Sequence, residues 1–252
     1  ATRTARLVAA AGVGALALTL GACGSSGSSS SSGSTTTSTA GASSTTSTKA
    51  AAPDPAADKA TAAKLNLTGA DLPGWQSSPN NTSSSDKAGA AQLAACAGAP
   101  DPATIDVADV PSPNFDKGNT EISSDVTMVK THQDGVADLQ AIRGPKLVPC
   151  VQQVFGSQLK TQMPAGATAS NLQVTPFTPT GAPADSFGMH LSTTVTVPNQ
   201  GSVPVNIDVV GFLSGRAEVE LDVVSTGGPV DTATESHLLS VLVSRAQQNA
   251  GS

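Results

Sequence analysis

The side chains able to carry chemistry are few. Cysteines stand at 23, 96 and 150, histidines at 132, 190 and 237, and the single tryptophan at 75. The histidines fall in separate predicted elements without metal-ligand spacing, and no cysteine belongs to a CxxC pair. Ser84-Ser85-Asp86-Lys87 and Ser157-Gln158-Leu159-Lys160 match the SxxK pattern, but no KTG or SDN element accompanies them, and a serine-rich chain produces such matches by chance. There is no GxSxG elbow, no HExxH and no glycine-rich phosphate loop. No catalytic residue, metal site or cofactor is expected, and the chain does not read as an enzyme.

The densest charge pattern is Arg216, Glu218, Glu220 and Asp222, alternating with Ala217, Val219, Leu221 and Val223. Upstream, Val203, Val205, Ile207 and Val209 alternate with Pro204, Asn206, Asp208 and Val210. Before those, Phe187, Met189, Leu191, Val195 and Val197 alternate with small or polar residues. Period-two patterning of this regularity predicts a three-strand meander with one buried face. A three-residue loop at 213–215, with Gly215 left-handed, sets Ile207 opposite Leu221, Asp208 opposite Glu220 and Asn206 opposite Asp222. A five-residue loop at 198–202 pairs Val195 with Val205 and His190 with Val210, itself across from Glu218. Like charges facing one another on a sheet are unfavourable by some tenths of a kcal/mol, and a cation, a partner's base or Arg216 would relieve them. Asp208, Glu218, Glu220, Asp222 and His190 are therefore the candidate face for a partner or a divalent ion; the alternative is a plain solvated face. Val210 and Phe212 interrupt it, packed under a loop or forming an exposed contact patch. Trp75, beside Pro73-Gly74, is either a ligand anchor or a lid on the core edge.

The rest of the fold positions these residues. Asp54-Pro55 opens a helix toward Leu65, a second helix runs from Asp86 to Cys96 with Gly98 as its stop, and a third spans Pro145 to Met163. Residues 121–131 and 170–178 read as strands. A final helix opens at 231, with Thr232 and Glu235 spaced as a capping box. Leu238, Leu239, Leu242, Val243 and Ala246 give that helix an apolar stripe to cover the meander. The expected class is α+β: an antiparallel sheet with helices packed on one face.

Composition narrows the partners. Hydrophobic residues make up 38%, Tyr is absent and Phe occurs five times, so aliphatic side chains must build the core. Lys plus Arg total 13 against 19 acids, a net charge of −6. An acidic body without a basic stripe argues against nucleic acid and against electrostatic docking on anionic lipid.

Arg3 and Arg6 precede an uncharged run from Leu7 to Leu20, of export-signal length and too short to span a bilayer. The run ends in Leu20-Gly21-Ala22-Cys23, which resembles the lipobox of bacterial lipoproteins. That resemblance implies cleavage after Ala22, acylation of the Cys23 thiol (palmitate among the chains) and a lipid-anchored protein on the extracytoplasmic face of the cell membrane. Residues 1–22 are then the signal peptide, and 23–57, rich in Ser, Thr, Gly and Ala, a disordered flexible tether spanning roughly 30 Å. Residues 58–252 form one globular domain.

With Cys23 acylated, Cys96 and Cys150 remain as a pair in an oxidising compartment. Either they form a disulfide between two helices, stabilising by roughly 4 kcal/mol, or they are two buried thiols.

The segment Ala70-Asp71-Leu72-Pro73-Gly74-Trp75, the stretch from Arg143-Gly144-Pro145-Lys146 to Cys150, the turn at Gly215-Arg216 and the late Arg245 resemble actinobacterial, mycobacterial-type lipoproteins. Their domains are similar to the PsbP/Mog1 type or to the sensor domain of PknH-type receptor kinases. The resemblance implies no enzymatic activity. Two functions are carried forward: an envelope module that binds a small apolar ligand or an envelope protein, and an accessory lipoprotein making structural protein contacts in the wall.

Overall fold

The computed structural model describes residues 53–80, 84–163 and 165–249. The leader, Cys23 and most of the tether lie outside the described residues. In order come α1 (Pro55–Leu65), β1 (Gln76–Ser78), α2 (Ser84–Ala97), α3 (Pro102–Ile105), β2 (Asp106–Pro111), β3 (Asn114–Lys117) and β4 (Thr120–Val129). Then follow α4 (His132–Ile142), α5 (Leu147–Gln162), β5 (Thr168–Ala169), β6 (Gln173–Phe177), β7 (Ser186–Val197), β8 (Gly201–Ser214), β9 (Ala217–Thr226) and α6 (Thr232–Asn249). The class is α+β, as expected.

The strands form one antiparallel sheet ordered β1-β3-β4-β9-β8-β7-β5, with β2 on β4 and β6 on β7. The meander β7-β8-β9 lies at its centre, but its registers differ from those expected. The β8–β9 turn has two residues, Gly215 and Arg216, so Ser214 pairs with Ala217, Ile207 with Val224 and Asp208 with Val223. Gly215 has φ 58° while Arg216 is not left-handed, the pattern of a II′ turn, whose twist suits a hairpin. Between β7 and β8, Val197 pairs with Gly201 and Val195 with Val203, and His190 meets Asp208 rather than Val210. That loop spans Pro198 to Gln200, with Asn199 in the left-handed region at φ 64°.

The expectation failed because it assumed one wet face. Both faces of the central strands are buried. On one, Ile122, Val126, Val210, Phe212, Val219 and Leu221 pack with Leu65 of α1 and Leu238, Leu239 and Leu242 of α6. On the other, Met189, Leu191, Ile207 and Val209 pack with Leu93 of α2 and Leu147, Val151, Val154 and Phe155 of α5. Helices thus cover both faces rather than one. Val210 and Phe212, which interrupted the supposed polar face, are core residues at 1% and 3% exposure. Burying such side chains fully contributes roughly 1.5–3 kcal/mol each.

Local chemistry fixes the helix ends. Asp54 accepts from Ala56 N at 2.9 Å and Pro55 takes the first helical position, so α1 begins inside the stretch read as tether. Gly98 ends α2 at φ 80°, and its N–H and that of Ala99 both bond the Ala94 carbonyl. Asp231, not Thr232, caps α6: its carboxylate accepts from Ala233 N and the Thr234 hydroxyl. Helix α4 was not foreseen, although Thr131 and Asp134 make a reciprocal capping box at its start. The pair Cys96–Cys150 is a disulfide, joining α2 to α5 with Cα atoms 5.7 Å apart.

Candidate binding cleft at the sheet edge

The acidic residues singled out in the sequence do not form one surface. Glu218, Glu220 and Asp222 point to the α5 side of the sheet, where Asp125 of β4 pairs with Glu220 and Asp222 lies across from Val209. Asp138 of α4 joins Asp125, Glu218 and Glu220 around a void of about 20 Å³, room for about one water. Glu220 and Asp222 are buried at 8% and 2% exposure, so this half of the sheet is not a solvated outer face. Arg216, expected beside them, instead bonds Asp58 of α1 and the Val129 carbonyl. Among the described residues, no group of three or more His, Cys, Asp or Glu is arranged to hold a metal ion.

Asp208 lies on the opposite face. Its Oδ1 contacts Nδ1 of His190, and its carboxylate shares a hydrogen bond with Glu235 in the first turn of α6. Burial, then the bond to Asp208 and its charge, raise the Glu235 carboxyl to about 7. On β4, burial and the charge of Asp116 across the strand pair likewise raise Glu121 to about 7. Trp75 is half-buried against the α6-side core, with the Lys117 ammonium 5.8 Å above its ring. That is the lid position.

A different set of residues encloses open space. A cleft of about 470 Å³ lies between the α4–α5 corner and the segment from Pro176 to Met189. The corner forms because α4 ends at Ile142 and Gly144-Pro145 interrupts the chain before α5. Prolines at 176, 179 and 183 restrict the facing segment, and Gly181 turns it at φ 82°. Arg143 fastens the two sides: Nε donates to the Ser186 carbonyl at 2.9 Å, and Nη2 donates to the Ala184 and Ser186 carbonyls. Asp185 adds a carbonyl that accepts from Leu213 N at 2.9 Å. Leu147, Val148, Phe177 and Phe187 supply apolar wall.

Two glycines make that wall possible. A Cβ on Gly211 would lie 2.3 Å from the Phe187 ring, and one on Gly188 would lie 2.8 Å from the Phe177 ring. Each ring therefore packs directly against bare backbone. Sequence reasoning missed the cleft. Its signal was present, in Pro179, Gly181 and Pro183 between two phenylalanines, with Pro176 just before them, opposite a Gly-Pro helix break.

No protein-family model matches the chain, and no curated protein matches it. Among solved structures it is similar to the extracellular domain of PknH from Mycobacterium tuberculosis, at 10% identity and a TM-score of 0.34, over 75% of this chain and 96% of that one. Similarity at that level assigns neither family nor activity.

Proposed function

We propose that the chain is a lipid-anchored extracytoplasmic binding module, not an enzyme, that holds a small apolar ligand in the cleft beside Arg143. The observation that carries this reading is the cleft itself. Its 470 Å³ falls within the range of small-molecule sites, and its walls are chiefly aliphatic, aromatic and proline side chains. Arg143 is engaged with backbone carbonyls across the rim, so the buried part of the ligand is uncharged. The Cys96–Cys150 disulfide supports an oxidising compartment, and Leu20-Gly21-Ala22-Cys23 supports the anchor. The accessory-contact reading relied on an exposed patch at Phe212, which is buried.

Two experiments test this. The chain from residue 24 onward, titrated with the uncharged fluorophore N-phenyl-1-naphthylamine, should bind it saturably, and Val148→Trp should abolish binding while the fold persists. Unsaturable binding, or binding indifferent to Val148→Trp, would refute the cleft as the site. For the anchor, an alkyne palmitate analogue should label the wild-type protein in its host and leave Cys23→Ala unlabelled.

A further inference from the structure

Glu235 sits in the first turn of α6, and Asp208 lies on the middle of β8 beneath it. Their exposures are 7% and 8%, and they share a side-chain hydrogen bond. Two carboxyl groups can make that bond only if one keeps its proton, because ionised carboxylates only accept. On the far side of Asp208, Nδ1 of His190 holds Oδ1. The His190 side chain is 37% exposed, so this chain of imidazole, carboxylate and carboxyl reaches solvent at one end and ends under a helix at the other.

The surroundings supply little else that titrates. From β9, Leu221 and Val223 face the same side, and from α1, Ala62 and Leu65. The charged pair of α1, Asp58 with Arg216, is at the β8–β9 turn. Arg245, almost three turns along α6, is taken by Asp71 and the Asn66 carbonyl. Asp231 caps the helix and is exposed, as is His237.

We propose that His190, Asp208 and Glu235 form a proton-held latch, which ties the first turn of α6 to the sheet in acid and slackens it as the surroundings approach neutrality. The latch is independent of the cleft. Its direction follows from linkage. Glu235 titrates at about 7 when closed, against its ordinary 4.5 once the turn opens to water. Between those values the closed form holds more protons than the open one, so each unit of rising pH favours opening by about tenfold. The effect levels off above about 7 and is absent below 4.5.

Hydrogen exchange of the amides of residues 235–239 reads this directly, in the full chain in lipid nanodiscs, corrected for intrinsic exchange, at pH 5, 6, 7 and 8. Protection should fall by about tenfold per unit from pH 5 to 7 and then level. Glu235→Gln keeps a donor for Asp208 but cannot titrate, so its profile should be flatter than that of the wild type. A flat wild-type profile would overturn the latch, and so would a Glu235→Gln profile as steep as wild type.

Discussion

Asp208 and Glu220 stand on adjacent strands yet on opposite faces of the sheet, Asp208 paired with Val223 and Glu220 with Gly211. One belongs with α6 and the other with the acids beside α4. Residues separated by a sheet and sharing no partner contribute additively, within about 0.5 kcal/mol. A double-mutant cycle of Asp208→Asn and Glu220→Gln, read by chemical denaturation, should therefore show coupling below that value. A coupling clearly above that value would contradict the placement of the two acids on opposite faces.

The Cys96–Cys150 disulfide closes a loop with a sequence separation of 54 residues. The chain-entropy argument gives it about 4 kcal/mol. Replacing both cysteines with serine should lower the unfolding free energy by about 2–4 kcal/mol, and reductant should shift the denaturation midpoint of the wild type but not of the variant. Equal midpoints for the two proteins without reductant would contradict the staple.

Gly211→Ala and Gly156→Ala should act in opposite directions. The added methyl at 211 meets the Phe187 ring, whereas at 156, within α5, it meets nothing within 4 Å. The first should destabilise by about 1–3 kcal/mol through overpacking and weaken binding in the cleft that Phe187 lines. The second should stabilise by up to about 1 kcal/mol, because alanine suits a helix interior better than glycine. Thermal melts check both, and a neutral Gly211→Ala would show that Phe187 is free to leave.

Arg245 and Asp71 tie α6 to the segment after α1 at 2.7 Å. Burial opposes ionisation of Asp71, but the Thr68 N–H and hydroxyl and the Arg245 guanidinium outweigh it, so its carboxyl titrates below the ordinary 3.8. Its contribution is thus present above pH 3.8 and fades as pH falls through the lowered value. Arg245→Met should cost about 1–2 kcal/mol at pH 7, less than a fully buried pair because solvent reaches it. The gap between variant and wild type should narrow below pH 3.8. A gap that widens in acid would reverse the assignment.

Much of the fold was legible because local rules act alone at many positions. Period-two alternation located β7, β8 and β9, and the caps at Asp54 and Gly98 bounded α1 and α2. Register was not legible. Shifting the β8–β9 pairing by three residues moved Asp208 away from Glu220, and only the burial of both faces, a tertiary fact, decides between the alternatives. The same fact hid the roles of Val210 and Phe212. The spacing of Glu235 from Thr232 fits a capping box, yet Asp231 caps the helix and Glu235 turns inward to Asp208. The cleft escaped notice because Arg143 and the carbonyls of Ala184 and Ser186 are about 40 residues apart in the chain, and backbone acceptors carry no sequence signature.

Native mass spectrometry of the protein purified from its own host tests the central claim most directly. Wild type should carry a co-purifying apolar molecule that is absent from Val148→Trp. An empty wild type, or an identical adduct on both proteins, would contradict a binding function for the cleft.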